Sequence, residues 1–313
     1  MILDSQGILR KHIESIWPNR KIIESLIEST DFKVPTLQQQ KMIFSTAELK
    51  INDSKFKISG PDRLSDWEAG WNEVLSKFNQ NPILESLIPQ YFTKHQYSRL
   101  DSRFVLTAGT DTELKFLRII QTLVLSEILN SKNGLKDEIS SIYEFGCGTG
   151  HNLAYLSSLW PKLMYFGLDW STKSQQLLKE ISEVGLVQNL DYANFDFFAP
   201  NADFKLKSNS LVLTVATLEQ VGSEHTAFID YLLTQQPKIV VHIEPEQDLL
   251  DANNPVDQLS IRYAKNRGYL NGLLSYLKIL ENQSLLKIHS AYRTGMGSYL
   301  LDGYSVIIWE PIK

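Results

Sequence analysis

From residue 138 onward, short runs rich in β-branched and aromatic residues alternate with longer segments of helical pattern. This alternation constrains the fold more than any other feature. The strand candidates are SIYEF (141–145), LMYFGLD (163–169), YANFDFF (192–198), SLVLTVATL (210–218) and KIVVHIEP (238–245). Between them lie HNLAYLSSLW, STKSQQLLKEISEVG and SEHTAFIDYLLTQQ, each long enough for a crossover helix. Such a rhythm predicts a parallel sheet covered on both faces. The chain ends differently: LLKIHSAYRTG and GYSVIIWEP flank GMGSYLLDG with no room for a crossover, which predicts an antiparallel pair.

Residues 1–135 read as mainly helical, interrupted at KVP, ISGPD and TAGTD. In DTELKFLRIIQTLVLSEIL the residues Leu117, Ile120, Val124 and Ile128 recur at helical spacing, with Asp111 or Thr112 as N-cap and NSKNG as terminator. DWEAGWNEVLSKF predicts a second helix carrying Trp67, Trp71, Leu75 and Phe78 on one stripe. The expected division is a helical part over 1–135, serving as a cap, a substrate wall or a homodimer surface, and a nucleotide-binding part over 136–313.

Composition narrows the function. A net charge of −5, with its few basic pairs diluted by acids, disfavours nucleic acid as a partner. The N-terminal MILDSQGILRKH lacks an uninterrupted apolar core, no stretch approaches membrane-spanning length, and the sole cysteine, Cys147, allows no internal disulfide. These features predict a cytoplasmic protein.

The first strand candidate runs into EFGCGTGHN, a loop with glycines at 146, 148 and 150. In an open parallel sheet the first strand-to-helix loop is the usual ligand cradle. A Walker-type phosphate loop needs Lys followed by Ser or Thr where His151 and Asn152 stand, so that reading fails. The dinucleotide fingerprint G-x-G-x-x-G needs a third glycine at 151, one residue out of register. Glu144, just before the loop, would repel a pyrophosphate but can hold an ammonium. Asp169 ends the second strand 25 residues on, where a carboxylate can accept two ribose hydroxyls, although capping the helix that begins at STKSQ competes for it. Asp196, near the end of the third strand, can accept from an adenine amino group, with Phe197 or Phe198 against the ring.

EFGCGTG, GLDWS and FDFFAP, in this order, resemble the successive cofactor motifs of class I S-adenosylmethionine-dependent methyltransferases. The likeness covers roughly residues 138–313. It implies an α/β, Rossmann-like seven-stranded sheet of order 3-2-1-4-5-7-6 with the last strand antiparallel, behind a helical N-terminal extension. It also implies S-adenosyl-L-methionine as cofactor, with Glu144 near the methionine amino group, Gly146, Gly148 and Gly150 lining it, Asp169 on the ribose and Asp196 on the adenine. The helical segment before YEFGCGTG is similar to the layout of bacterial enzymes predicted to methylate sugars.

Methyl transfer to oxygen calls for a base. LEQVG after the fourth strand offers Glu219. VVHIEPE at the end of the fifth places His242, Glu244 and Glu246 on one face if the strand stays extended, although Pro245 can bend it. An Asp or Asn followed by two prolines and an aromatic, the amine-type signature of the family, is absent, which weakens a nucleobase or glutamine N-methylation reading; the similarity to sugar-methylating enzymes implies a small polar metabolite or saccharide as acceptor, at oxygen rather than nitrogen. Arg99, Arg103, Tyr292 and Arg293, and Tyr263, Arg267 and Tyr269 in the insertion after the fifth strand, are candidate acceptor walls. No metal ligand is assigned, although His242, Glu244 and Glu246 could also form part of a metal site. Two competing readings are an NAD-dependent oxidoreductase or epimerase and a noncatalytic S-adenosylmethionine-binding scaffold.

Overall fold

The computed structural model of the protein describes residues 5–18, 24–53, 55–107, 111–130 and 138–312. Most of TAGTD, the part of NSKNG beyond Asn130 and the expected 135/136 boundary lie outside the described residues. The elements in chain order are α1 (Ser5–Ile16), α2 (Glu24–Ser29), β1 (Phe32–Lys33), α3 (Leu37–Asp53), α4 (Leu64–Gln80), β2 (Tyr97–Leu100), β3 (Arg103–Thr107) and α5 (Thr112–Asn130). There follow β4 (Ser141–Phe145), α6 (His151–Leu159), β5 (Met164–Asp169), α7 (Thr172–Glu183), β6 (Leu190–Asn194), β7 (Ser210–Val215), α8 (Thr226–Gln235) and β8 (Ile239–Glu244). The chain closes with α9 (Pro255–Arg267), α10 (Leu273–Asn282), β9 (Leu286–Arg293), β10 (Met296–Ser298) and β11 (Ser305–Pro311).

The large sheet has seven strands in the order β6-β5-β4-β7-β8-β11-β9. Neighbours from β6 through β8 are parallel, while β11 runs antiparallel to both β8 and β9. Counted within this sheet alone, the order is 3-2-1-4-5-7-6 with the seventh strand reversed, as expected from the sequence. The predicted antiparallel pair at the chain end is β9 with β11.

Every residue of β4, β7 and β8 is buried, the signature of strands covered on both faces. Successive side chains then serve two cores. Ile142, Val241, Ile243, Val306 and Ile308 join α5, α6 and α7 on one face. Tyr143, Phe145, Phe166, Val240 and Trp309 join α8 and α10 on the other. The predicted stripe of α5 is buried, but so are Phe116, Ile119, Leu123 and Leu125, so the helix is apolar nearly all round and packs within the core rather than over it.

Three features depart from the sequence reading. The N-terminal part is not only helical: β1, β3 and β2 form a second sheet, which β10 completes, so a strand from near the chain end pairs with the N-terminal part. The stretch around Arg99 and Arg103, a candidate acceptor wall, is the β2–β3 hairpin; Arg99 is fully buried, donating to Ser260 Oγ, Val256 O and Tyr299 O, whereas Arg103 is exposed. The third parallel strand ends at Asn194, which leaves Asp196 in the turn beyond it. No helix among the described residues is long and apolar enough to cross a membrane.

Candidate active site

The loop leaving β4 is held against the end of β5. Gly146 N and Cys147 N both donate to Leu168 O, at 2.6 and 3.0 Å. Gly146 has φ 71° and a Cβ there would lie 2.0 Å from Thr217 Cγ2; Gly148 has φ 54° and a Cβ would lie 2.9 Å from the Trp71 ring. Both positions require glycine, for backbone conformation and for space. Gly150 differs: it faces Leu178 and Ile181 of α7, so it serves helix packing rather than the cleft lining expected of it. Cys147 is a buried loop filler whose thiol burial pushes well above its ordinary pKa.

Asp169 lies at the carboxyl end of β5, 6% exposed. Its Oδ2 accepts from Gly148 N and its Oδ1 from Ser171 N, each at 2.9 Å. Burial pushes the carboxyl up to about 6, with the two amide bonds pulling the other way. The helix-capping role weighed for it belongs to Ser171, whose side chain accepts from Lys173 N and Ser174 N. Glu68 of α4 adds a carboxylate at the same helix end, accepting from Thr172 N at 2.5 Å and Lys173 N at 3.2 Å, where the helix dipole favours negative charge.

Glu144 is completely buried, and burial pushes it up to about 8. Oε1 accepts from Asn152 Nδ2 at 2.7 Å, while Oε2 has no partner. Asp196 turns back on its own loop, Oδ1 accepting from Phe198 N at 2.9 Å, and does not line the cleft. Phe197 and Phe198 do line it, together with Trp170, whose ring centroid is 5.8 Å from that of Phe198. Trp170 was passed over in the sequence, although its place directly after Asp169 could have marked it.

Gly146, Gly148, Asp169, Trp170, Phe197 and Thr217 thus border one cleft of about 720 Å³, its open mouth included. Trp67 and Trp71 of α4, stacked with centroids 5.2 Å apart, form the opposite wall. The cleft continues into a larger cavity of about 1900 Å³ on the same measure, the two sharing Trp67, Trp71, Pro89, Tyr91, His151, Asn152, Val215 and Ala216. Ala216 stands at this junction with φ 47°, a strained conformation for a residue with a Cβ, and strain of this kind gathers at functional sites.

The larger cavity holds Glu219, as the sequence suggested, and also Glu113, Tyr304, Tyr263, Arg267, Tyr269 and Arg63. Burial pushes both Glu219 and Glu113 up to about 7. Gln220 Nε2 donates to Glu219 Oε1 at 2.9 Å and Tyr304 OH donates to Glu113 Oε1 at 3.0 Å. Glu113 and Tyr304 escaped the sequence reading because they lie 191 residues apart and meet only through the fold.

His242 is not at the site. It is fully buried between β7 and β11, with Nδ1 2.9 Å from Thr214 Oγ1 and Nε2 3.0 Å from Trp309 Nε1. An indole N–H can only donate, so Nε2 accepts and the ring is neutral; burial pushes its pKa down to about 3. The base role assigned to His242 is therefore corrected to a core hydrogen bond.

Glu244 is likewise no base at the cavity. Both its carboxylate oxygens accept from Thr217 N, at 3.0 and 3.1 Å, which fixes the loop after β7. Glu246 accepts from Asp248 N and Leu274 N. His225, just before α8, is buried with Nε2 bonded to Asn271 O. Arg293 is locked to Asp257 and Asp302, and Tyr292 OH accepts from Trp17 Nε1. Among the described residues, no group of three or more His, Cys, Asp or Glu could hold a metal ion.

No protein-family model and no curated protein matches the chain. Among solved structures it is similar to TnmH, at 17% identity over 64% of this chain and 58% of that one, with a TM-score of 0.44. It is also similar to an O-methyltransferase from neocarzinostatin biosynthesis (NcsB1) in complex with S-adenosylmethionine and 2-hydroxy-5-methyl naphthoic acid, at 13% identity over 88% and 70% of the two chains and a TM-score of 0.42. Human N-acetylserotonin methyltransferase, in complex with S-adenosylmethionine, aligns at 15% identity over 78% and 66%, with a TM-score of 0.44. The chain thus spans less than two thirds of the length of the first and the third. With the strand order 3-2-1-4-5-7-6, its seventh strand reversed and a glycine loop leaving the first, the chain has the class I S-adenosylmethionine-dependent methyltransferase fold.

Proposed function

We propose that the protein transfers a methyl group from S-adenosylmethionine to a hydroxyl of a small polar metabolite or saccharide. The observation that carries this reading is the joining of two spaces. A cleft bordered by the glycine loop and Asp169 opens, past Tyr91 and Ala216, into a cavity that holds Glu219.

The residues present suit the cofactor. The unpartnered Glu144 Oε2 beside the loop is an acceptor for an ammonium, directly or through water, and the carboxylate of Asp169 keeps lone pairs for ribose hydroxyls after its two amide bonds. Phe197, Phe198 and Trp170 offer aromatic walls to an adenine, in place of the Asp196 contact expected from the sequence. Trp67 and Trp71 add aromatic surface to the cleft, with the Arg63 guanidinium already 5.4 Å from the Trp67 ring centroid. The glycine register, one residue out for the dinucleotide fingerprint, argues against NAD.

Bound there, S-adenosylmethionine supplies an electrophilic methyl group on a sulfonium. The protein's part is to seat the acceptor hydroxyl in line, exclude water and take the proton. Glu219, pushed up to about 7 by burial as Glu113 also is, follows the fourth parallel strand and is the base assigned here, and the proton released by the hydroxyl ends on its carboxylate.

Calorimetric titration with S-adenosylhomocysteine, beside NAD, tests the cofactor. Incubation with labelled S-adenosylmethionine and hydroxylated acceptors, read by mass spectrometry, tests turnover. Micromolar binding of S-adenosylhomocysteine alone is expected, followed by an O-methylated product. Binding of NAD instead moves the reading to hydride chemistry, and binding without turnover over a broad panel favours the scaffold reading.

A further inference from the structure

Two arginines that line the larger cavity keep hydrogen-bonding capacity unused. Arg267 closes α9 and lines the cavity, stacked on Tyr269 with its guanidinium carbon 5.0 Å from the ring centroid. Its Nε is buried and has no hydrogen-bond partner among the described residues, and no ion pair holds it. Arg63 lines the same space; its Nε pairs with Asp66 Oδ2 at 2.6 Å, but Nη1 is buried without a partner.

An unpaired buried guanidinium N–H is costly; Arg99, Arg118 and Arg262 have one too, and what sets Arg63 and Arg267 apart is that both border the cavity. Glu219 does not complete either one. It feels both arginines, yet makes no ion pair with either, and its carboxyl remains pushed up to about 7. The guanidinium fork matches an oxyanion in geometry as well as charge.

We infer that the acceptor carries an anionic oxy-group, a carboxylate or a phosphoryl, seated by Arg63 and Arg267, with its reacting hydroxyl turned to Glu219. Anion recognition stands on the arginines alone, while the hydroxyl's fate rests on the methyl-transfer reading above. The anionic group would anchor the acceptor beside the tyrosines of the cavity wall, Tyr263 and Tyr269.

The test titrates matched probes into the full chain loaded with S-adenosylhomocysteine: glucuronate against glucose, and 3-hydroxybenzoate against 3-hydroxybenzamide, with acetate and inorganic phosphate as competitors. The anion of at least one pair should bind roughly tenfold or more tightly than its neutral partner. Arg267→Met, which keeps an apolar stem against Tyr269, should erase that difference and retain cofactor affinity. Competition by acetate assigns a carboxylate; competition by phosphate assigns a phosphoryl group. Equal binding within both pairs overturns the inference, as does the failure of all anions to bind at millimolar concentration. If S-adenosylhomocysteine itself does not bind, the methyl-transfer reading falls, and the same titrations without it still decide the anion site.

Discussion

Gly148 N donates to Asp169 Oδ2 at 2.9 Å, so the glycine loop after β4 and the acid ending β5 form one hydrogen-bonded unit. The same carboxylate takes Ser171 N at the start of the chain into α7. Removing it frees two buried amides as well as any ribose contact. Asp169→Ala should weaken S-adenosylhomocysteine by about 1–3 kcal/mol. Calorimetry on both proteins measures this, and unchanged affinity would remove Asp169 from the cofactor site.

Gly148 sits at φ 54° with the Trp71 ring against it. A side chain there meets both a backbone penalty, about 1–2 kcal/mol for the left-handed region, and a clash with the indole. Gly148→Val should abolish detectable S-adenosylhomocysteine binding and lower the melting midpoint modestly. Retained affinity would mean that the cofactor does not lie along this loop.

Glu219 titrates near 7 in the folded protein, above its ordinary carboxylate value. As pH rises through 7 it loses its proton and becomes a competent base, so kcat/KM should rise through that pH and then level. Glu219→Gln should lower kcat by about 10²–10⁴-fold, with the rising limb gone. A variant that keeps both rate and pH profile assigns the proton transfer elsewhere, Glu113 being the next carboxyl in the cavity.

His242 joins β7 to β11 through Thr214 and Trp309. His242→Ala leaves a cavity and an unsatisfied indole N–H, a cost of about 2–4 kcal/mol. Urea denaturation should register that loss while kcat per folded molecule is retained. A large fall in kcat without loss of stability would restore His242 as a reacting group.

Stability should fall between about pH 6.5 and 8. Burial raises Glu144 and Glu244 to about 8 and Glu246 to about 7. These carboxyls hold protons in the folded chain that the unfolded chain has released, so rising pH favours unfolding until they titrate, whereas below about 6.5 the buried neutral His242 and His151, pushed down to about 3, act the opposite way. Melting midpoints across the range should decline, and Glu244→Gln, which still accepts from Thr217 N, should flatten the curve. A midpoint that climbs with pH would contradict this burial of carboxyls.

Much of the fold was legible because period is a local property. Strands such as Ser141–Phe145 and Ile239–Glu244 declare themselves by continuous apolar runs, and crossovers of helix length leave a parallel sheet as their packing solution. β10 was not legible: Met296–Ser298 is three residues long, and its partner is β2, nearly two hundred residues earlier. The extra burial of α5 was hidden for a related reason, since a helix covered on every side shows no clean stripe.

The glycine loop and the acid at the end of β5 can be read from the chain alone, because each depends on neighbours within one strand–turn–helix unit, whereas the sheet order followed from the family resemblance. Only the tertiary structure decided which titratable groups face open space. His242 and Glu219 both follow or end strands at the same sheet edge, yet Trp309 from β11 closes over the first, and the cavity wall built by α4 and α9 leaves the second open. Side-chain alternation says which face of a strand a residue takes, whereas what covers that face is set by elements far away in the chain.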